Sequence, residues 1–433
     1  YLSDIENLNY ERIPEYSSVS RLGFIGEGFS PYVDGLIFDG DANYKSIFNA
    51  VKSYGEREKW ISCAKKCREK TSAKIVLAAS FASVLVQKIG ALPFFVHLWG
   101  VDSGTGKTVA LMLAASVWGN PSNGQFVQTF NATEVGHERM AAFLNSLPMC
   151  IDELQLSRTS KGRPSFNIYN LAQGVGRTRG NKSGGVDNTP TWGNCILTTG
   201  ESPLASLTDG AGALNRVIEI ECKADDKVIA DGVSVSALLK KNYGFAGREF
   251  IDYISSDGMA ELIERRYRTL FGELSANDAT EKQAMAAALI VVADEIANSL
   301  FFSEKALTPK EISEFLKTNS AVSLGERGYN FICGWISQNI NRFNTSDDNT
   351  GEIYGVIEND LAYINAKKFR EVYEGEGISS SALLSWMKSK NLILYRGKRA
   401  TKGKRIKGIL TECVVLKMVE TDEDDVPEPD EYL

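Results

Sequence analysis

The sequence predicts an α/β fold on a parallel sheet, then a helical stretch, then a small C-terminal unit of helices with a two-stranded wing. Three observations predict it. Between residues 90 and 222, short apolar strands alternate with helical stretches, the pattern of parallel strands joined by crossover helices. One strand, FFVHLWG from Phe94, runs straight into the Gly-rich turn VDSGTGKT and an apolar helix that stops at Gly119-Asn120-Pro121. Near the other end, Lys388 to Lys407 holds nine Lys or Arg and no acid, within a run of two helices and two β segments.

Composition sets the frame. A chain of 433 residues has room for roughly two to four domains. With 43% hydrophobic and 24% charged residues it has an ordinary soluble composition and can bury a real core. No apolar run reads as long enough to cross a bilayer: Ile75 to Val101 is interrupted by Lys88, and Ala284 to Phe302 carries Asp294 and Glu295. No membrane partner is expected. The chain opens on Tyr1 with no secretion signal, so it reads as trimmed, with further domains expected in front. Seven cysteines are scattered, and Cys150, Cys195 and Cys222 fall in predicted buried strands, where Cys behaves as a small hydrophobe. A reducing, cytoplasmic setting is expected. Cys63 and Cys67 lack partners at zinc-site spacing, and only His97 and His137 could add imidazole, so no metal site is expected there. The net charge of −7 is largely a tail, because Glu420 to Leu433 holds eight acids and no base.

The elements follow in order. Residues 1–54 read as short strands and turns, among them Leu22-Gly-Phe-Ile and Gly35-Leu-Ile-Phe, with no function attached. Residues 55–225 read as the α/β core, opening with two helices of which the second is Ala73 to Ile89. Residues 226–307 are helical throughout, a lid or second domain. Thr308-Pro-Lys-Glu311 is a capping box with Pro at the first helical position, and it opens the unit 308–419. There a helix over Ala366 to Glu374 and a second from Ser379 to Asn391 precede β segments at Leu392 to Arg396 and Arg405 to Met418. Helices followed by a wing suggest a winged helix. A merely solvated basic hairpin is the plainer alternative, since charge runs commonly face water. Residues 420–433 are the acidic tail.

The chemistry begins at the Gly-rich turn. Gly104 and Gly106 free successive backbone N–H groups to curl around phosphates, Lys107 would reach the β- and γ-phosphates, and the Thr108 hydroxyl would ligate Mg²⁺. Asp102, Ser103, Thr105 and Val109 complete the expected cradle. The motif departs from the strict pattern at one place: Val101 holds the position of the first Gly, with Gly100 one place too early. A chance GKT in a loop is the alternative, and the strand before and helix after argue against it.

About 45 residues past Lys107, Leu147-Pro-Met-Cys-Ile-Asp-Glu is an apolar strand ending in two carboxylates. Asp152 would hold the Mg²⁺ shell and Glu153 would polarise the attacking water, for phosphoryl transfer needs little beyond positioning and charge neutralisation. A further strand reaches Leu-Thr-Thr-Gly-Glu, where Thr198 or Thr199 would sense the γ-phosphate. Arg216, just before Val217-Ile-Glu-Ile-Glu, is either a structural arginine or a finger reaching a neighbouring subunit's γ-phosphate.

Together HLWG…GTGKT, LAASVWGNP, FNATE, the strand ending IDE, the GxGRxRG loop, LTTGE and GALNRVIEI resemble a bacterial domain-of-unknown-function family found in helicases of mobile genetic elements. The resemblance extends to the self-loading, minichromosome-maintenance-like AAA+ replicative helicases of staphylococcal cassette chromosomes and pathogenicity islands. It is strong over about residues 20–255 and loose beyond. It implies an AAA+ P-loop ATPase that forms a homohexameric ring, uses ATP and Mg²⁺ to translocate on and unwind DNA, and carries a C-terminal winged helix. Lys107, Thr108, Asp152, Glu153 and Arg216 match the family's ATPase motifs. Lys282 stands where related proteins carry a second sensor, usually Arg, with Arg248 as a rival.

In such a ring, Gly174 to Gly185 would be a hairpin facing the channel. Arg177, Arg179 and Lys182 would then pair with phosphates of a threaded single strand, a sequence-independent contact. A Gly-rich surface turn whose arginines bind nucleotide or a neighbouring subunit is the alternative. His137 reads as a helix-surface or interface residue. Lys398, Arg399, Lys402 and Lys404 of the wing would hold duplex backbone. An ATP-dependent DNA-binding switch that does not unwind, and a non-enzymatic scaffold with a relic loop, are the rival functions.

Overall fold

The computed structural model describes residues 1–13, 15–157, 167–180, 185, 188–204, 214–276, 279–317, 323–343, 351–375, 379–395 and 399–418. They form two compact units, Tyr1–Asn319 and Ser320–Leu433.

The first unit opens on a helix, Leu2–Asn9, with no buried side chain, for which the short-strand reading had no place. Four short strands follow: β1 (Ser18–Val19), β2 (Gly23–Ile25), β3 (Gly28–Ser30) and β4 (Ile37–Phe38). β1 pairs in parallel with β4, and β2 antiparallel with β3. This layer is tied to the core where the Leu22 N–H donates to Phe143 O at 2.8 Å and the Phe24 N–H to Ser146 Oγ at 3.1 Å.

The central sheet holds β5 (Phe94–Trp99), β6 (Val127–Thr129), β7 (Met149–Asp152), β8 (Cys195–Gly200) and β9 (Val217–Glu221), in the order β6-β7-β8-β5-β9. Every pairing in it is parallel. β7 and β8 are buried at every position, the near-continuous burial expected of strands covered by helices on both faces. After β5 the chain runs out to β6, returns through β7 and β8, and crosses to β9 on the far side of β5. The carboxyl end of β5 is therefore a switch point, where an open α/β sheet leaves a crevice for ligands.

Helices Arg57–Cys67, Thr71–Ala82 and Leu85–Ile89 precede the sheet. The stretch read as helical after it contains Gly232–Leu239, Phe245–Ile254, Met259–Ala276 and Glu281–Ala297, the last running into a π turn, Asn298–Phe302. Glu281–Ala297 packs on Thr71–Ala82, so these helices lie in the same compact unit as the sheet. By length and composition alone the 22 residues Glu281–Phe302 would cross a bilayer, contrary to the sequence expectation. The protein instead buries 72% of their most apolar window. Asp294 inside it pairs with Arg68, both essentially inaccessible to solvent, and also accepts the Leu307 N–H at 2.7 Å. The Arg68 guanidinium stacks over Phe302 at 4.4 Å. These further contacts offset part of the desolvation cost of burying the pair.

The second unit contains helix Leu324–Gln338, β10 (Gly355–Glu358), β11 (Leu361–Asn365), helices Ala366–Gly375 and Ser380–Ser389, β12 (Ile393–Leu394), β13 (Thr401–Ile406) and β14 (Ile409–Lys417). The first helix, β10 and β11 were missed in the sequence. The strands form an antiparallel sheet ordered β10-β11-β14-β12, with β13 also pairing β14. Ile332, Ile336, Phe369, Tyr373, Leu383, Met387, Val414 and Leu416 make its core. Trp386 and Leu383 approach so closely at Gly325 and Gly328 that a Cβ on either glycine would overlap them.

Candidate functional site

The turn after β5 is built by its glycines. Gly104 and Gly106 have φ of +71° and +90°, which L side chains rarely adopt. A Cβ on Gly106 would lie 2.7 Å from the backbone N and O of Ile229. Val101 is no defect in this loop. It is 84% exposed and lacks a positive φ, whereas Gly100 has φ +153° and leaves no room for a Cβ against Cys222 O. The glycine is needed one position earlier because β9 runs on into Cys222 beside it.

Lys107 opens the helix Lys107–Ser116, and its Nζ donates to Gly100 O and Asp102 O, both at 2.8 Å. Thr108 Oγ1 donates to Asp152 Oδ1 at 3.2 Å, so loop and second strand meet at one carboxylate. The Thr199 hydroxyl also donates to Asp152 and accepts the Glu153 N–H at 3.1 Å. Glu153 itself sits at φ +64°, uncommon for a side chain of its size.

These groups line a cavity of about 1010 Å³ at the carboxyl edge of the sheet, together with Asp102, Ser103, Gly104, Thr105, Gly106 and Val109. Sequence reading missed its opposite wall, formed by Ala230 to Val233, Ser236, Ala237, Lys240 and Lys241. Asp231 caps that helix by accepting the Ser234 N–H at 3.1 Å, a bond that holds its carboxyl below the usual range. The cap is legible as a helix start. That the helix folds back over the loop is not, because the tie is a backbone bond, Val228 N–H to Thr105 O at 2.9 Å.

Thr198 points elsewhere: its Oγ1 is 2.8 Å from His97 Nδ1, and it does not line the cavity. Burial holds the His97 imidazole below its ordinary pKa. Arg216 is 6% exposed and stacks over Tyr169 at 4.7 Å. Its carbonyl accepts the Phe95 N–H at 2.8 Å, which puts it beside the amino end of β5. That is one strand length, roughly 20 Å, from the loop. Lys282 is likewise not brought to the cavity of its own chain. Its neighbour Gln283 donates to Leu214 O and Val217 O, so this helix starts against the amino end of β9. The rival Arg248 is exposed, 5.9 Å from the Tyr32 ring, and is also outside the cavity.

Gly174 to Gly180 departs along a hairpin base in which Val175 bridges Thr191. Arg177 approaches Glu134 at 3.4 Å and Arg179 pairs with Glu138 at 2.8 Å, and neither lines the cavity. The expected channel-facing arginines are thus held on the helix Glu134–Leu144. His137 between those carboxylates is 3% exposed rather than on the helix surface, and burial lowers its pKa to about 4. Lys182 lies outside the described residues. In the stretch expected to form the wing, Arg399 and Lys402 are exposed, whereas Lys404 pairs with Glu358 and stacks over Tyr363 at 4.6 Å. Lys398 and the acidic tail 420–433 lie outside the described residues.

A family described only as a domain of unknown function (DUF927) matches residues 6–192, spanning the loop and the Asp152-Glu153 strand. A second, the Cch helix turn helix domain, matches residues 323–421. A solved structure described as the SCCmec type IV Cch active helicase aligns with 96% of this chain and 82% of its own, at 19% identity and a TM-score of 0.73. The chain resembles the staphylococcal mobile-element helicases. At that identity the structural likeness is one of fold: mixed α/β, with a parallel sheet and helices. The A-form apo structure of the NrS-1 C-terminal region covers 72% of this chain and 84% of its own at 12% identity, with a TM-score of 0.26, too low to speak for a shared fold. No curated protein matches the chain.

Proposed function

We propose that this chain is an ATP-dependent DNA helicase of a mobile genetic element, an AAA+ motor working as a homohexameric ring with a C-terminal winged helix. The convergence of Lys107, Thr108, Asp152, Glu153 and Thr199 on one cavity at the switch point carries the reading. The loop amides and Lys107 bind the triphosphate. Thr108 Oγ1 and the Asp152 carboxylate suit a hard cation, and a Mg²⁺ held there would supply charge neutralisation on the phosphates. Glu153 orients the attacking water, and Thr199 holds the Asp152 carboxylate and the Glu153 backbone in place. Arg216 and Lys282, at the far end of the sheet, serve a neighbouring subunit's nucleotide. Arg177, Arg179 and Lys182 meet a threaded strand once DNA phosphates displace Glu134 and Glu138, and the wing meets duplex backbone. The likeness in fold to an active helicase supports this assignment.

The test compares ATP turnover and strand separation on a forked duplex for wild type and Glu153→Gln. The wild type is expected to do both. Glu153→Gln should keep ATP bound while turnover falls about 10²- to 10⁴-fold, the usual worth of a positioned base. Turnover without strand separation would favour a DNA-bound switch, and no turnover at all would leave only a scaffold.

A further inference from the structure

We infer that the tip of the β13–β14 hairpin is an apolar wedge that enters an opened base step where duplex DNA meets single strand. The inference rests on the DNA-binding reading above. β13 and β14 pair out to Ile406 opposite Ile409, closed by Lys407 and Gly408 with φ of +45° and +80°. Two central residues in the left-handed region make the tight turn whose twist matches the strands, so the tip is stiff. Further down, Thr401 Oγ1 donates to Glu412 across the ribbon at 2.6 Å, and the Lys404–Glu358 pair fixes it to β10.

This rigid ribbon carries large apolar side chains into solvent. Ile409 and Leu410 are 71% and 72% exposed, while Cys413 to Leu416 on the same strand are buried in the core. Neither tip residue belongs to the buried core of the unit. Around them stand exposed Lys402, Arg405 and Lys407. An apolar point ringed by cations suits a partner that is anionic outside and apolar within, which is the section through a base stack. Phosphate contacts would position the ribbon, and the aliphatic side chains would replace a neighbouring base at an unstacked step, as inserted Leu and Ile do in architectural DNA-binding proteins.

The test uses the full chain, without ATP, on a forked duplex carrying at its junction an adenine analogue whose fluorescence is quenched by stacking. Wild type should raise the signal on binding. Ile409→Ser with Leu410→Ser should bind fully paired duplex within about two-fold of wild type, because the cations remain, yet leave the junction signal at the level of free DNA. An equal rise with the double variant overturns the wedge and leaves the DNA-binding reading standing. Absence of any binding to the fork by wild type overturns both. Solution mass measured on the same samples supplies a further outcome: if the double variant loses oligomer while keeping the junction signal, the tip is a subunit contact and the wedge is wrong.

Discussion

Replacing the Thr199 hydroxyl should separate nucleotide binding from hydrolysis. That oxygen makes two bonds, accepting the Glu153 N–H at 3.1 Å and donating to the Asp152 carboxylate. A neutral hydrogen bond is worth about 1 kcal/mol net and one to a charged group about 1.5–3 kcal/mol. Thr199→Val keeps the shape and removes both, roughly 2.5–4 kcal/mol of positioning. If that loss falls on the transition state, turnover drops by about two to three orders of magnitude. Binding of a non-hydrolysable ATP analogue should stay within a few-fold, because Lys107 and the loop glycines do not depend on Thr199. Thr198→Val provides the control: its hydroxyl meets His97, outside the cavity, so it should lower thermal stability by about 1 kcal/mol and leave kcat near wild type. Steady-state ATPase and equilibrium binding on both variants decide the matter. A larger loss of kcat in Thr198→Val than in Thr199→Val would refute the assignment.

Arg216→Ala should abolish ATPase while each subunit still binds ATP, since its backbone joins the sheet at the end away from its own loop and it does not line the cavity. Mixing it with Lys107→Ala should restore partial turnover, and no rescue in verified mixed rings would make Arg216 structural. Changing Arg399 and Lys402 to Ala should weaken duplex binding and shallow its salt dependence, each lost phosphate contact lowering the slope by about 0.9. An unchanged slope would remove these residues from the backbone contact. Both histidines are buried with lowered pKa, so the unfolded chain takes up protons first as pH falls below about 6.5. Stability should therefore be full above that pH and decline towards about 4, the value burial gives His137. His137→Gln should flatten the decline in denaturant midpoints across that window, and an unaltered decline would exclude His137 as its source.

The loop, the carboxylate strand and the parallel sheet were legible in the sequence, because each is a local pattern. Glycines with a lysine and a hydroxyl follow one apolar run, and two acids end another. Local pattern also located the capping box at Thr308, which the structure repeats with both of its bonds. What local pattern does not carry is which long-range partner a side chain meets. Neighbouring threonines on one strand point to opposite faces, so Thr199 reaches Asp152 while Thr198 turns to His97, and only the sheet register decides which. The same holds for charge. Arg179 and Lys404 read as exposed cations, yet Glu138 and Glu358, distant in sequence, are brought to them by packing. The second wall of the cavity, from Ala230 to Lys241, is brought there by contacts between distant segments, among them the backbone bond from Val228 to Thr105, that no residue type announces. Tertiary structure alone decided these points, because they depend on distances between segments that the order of residues leaves open.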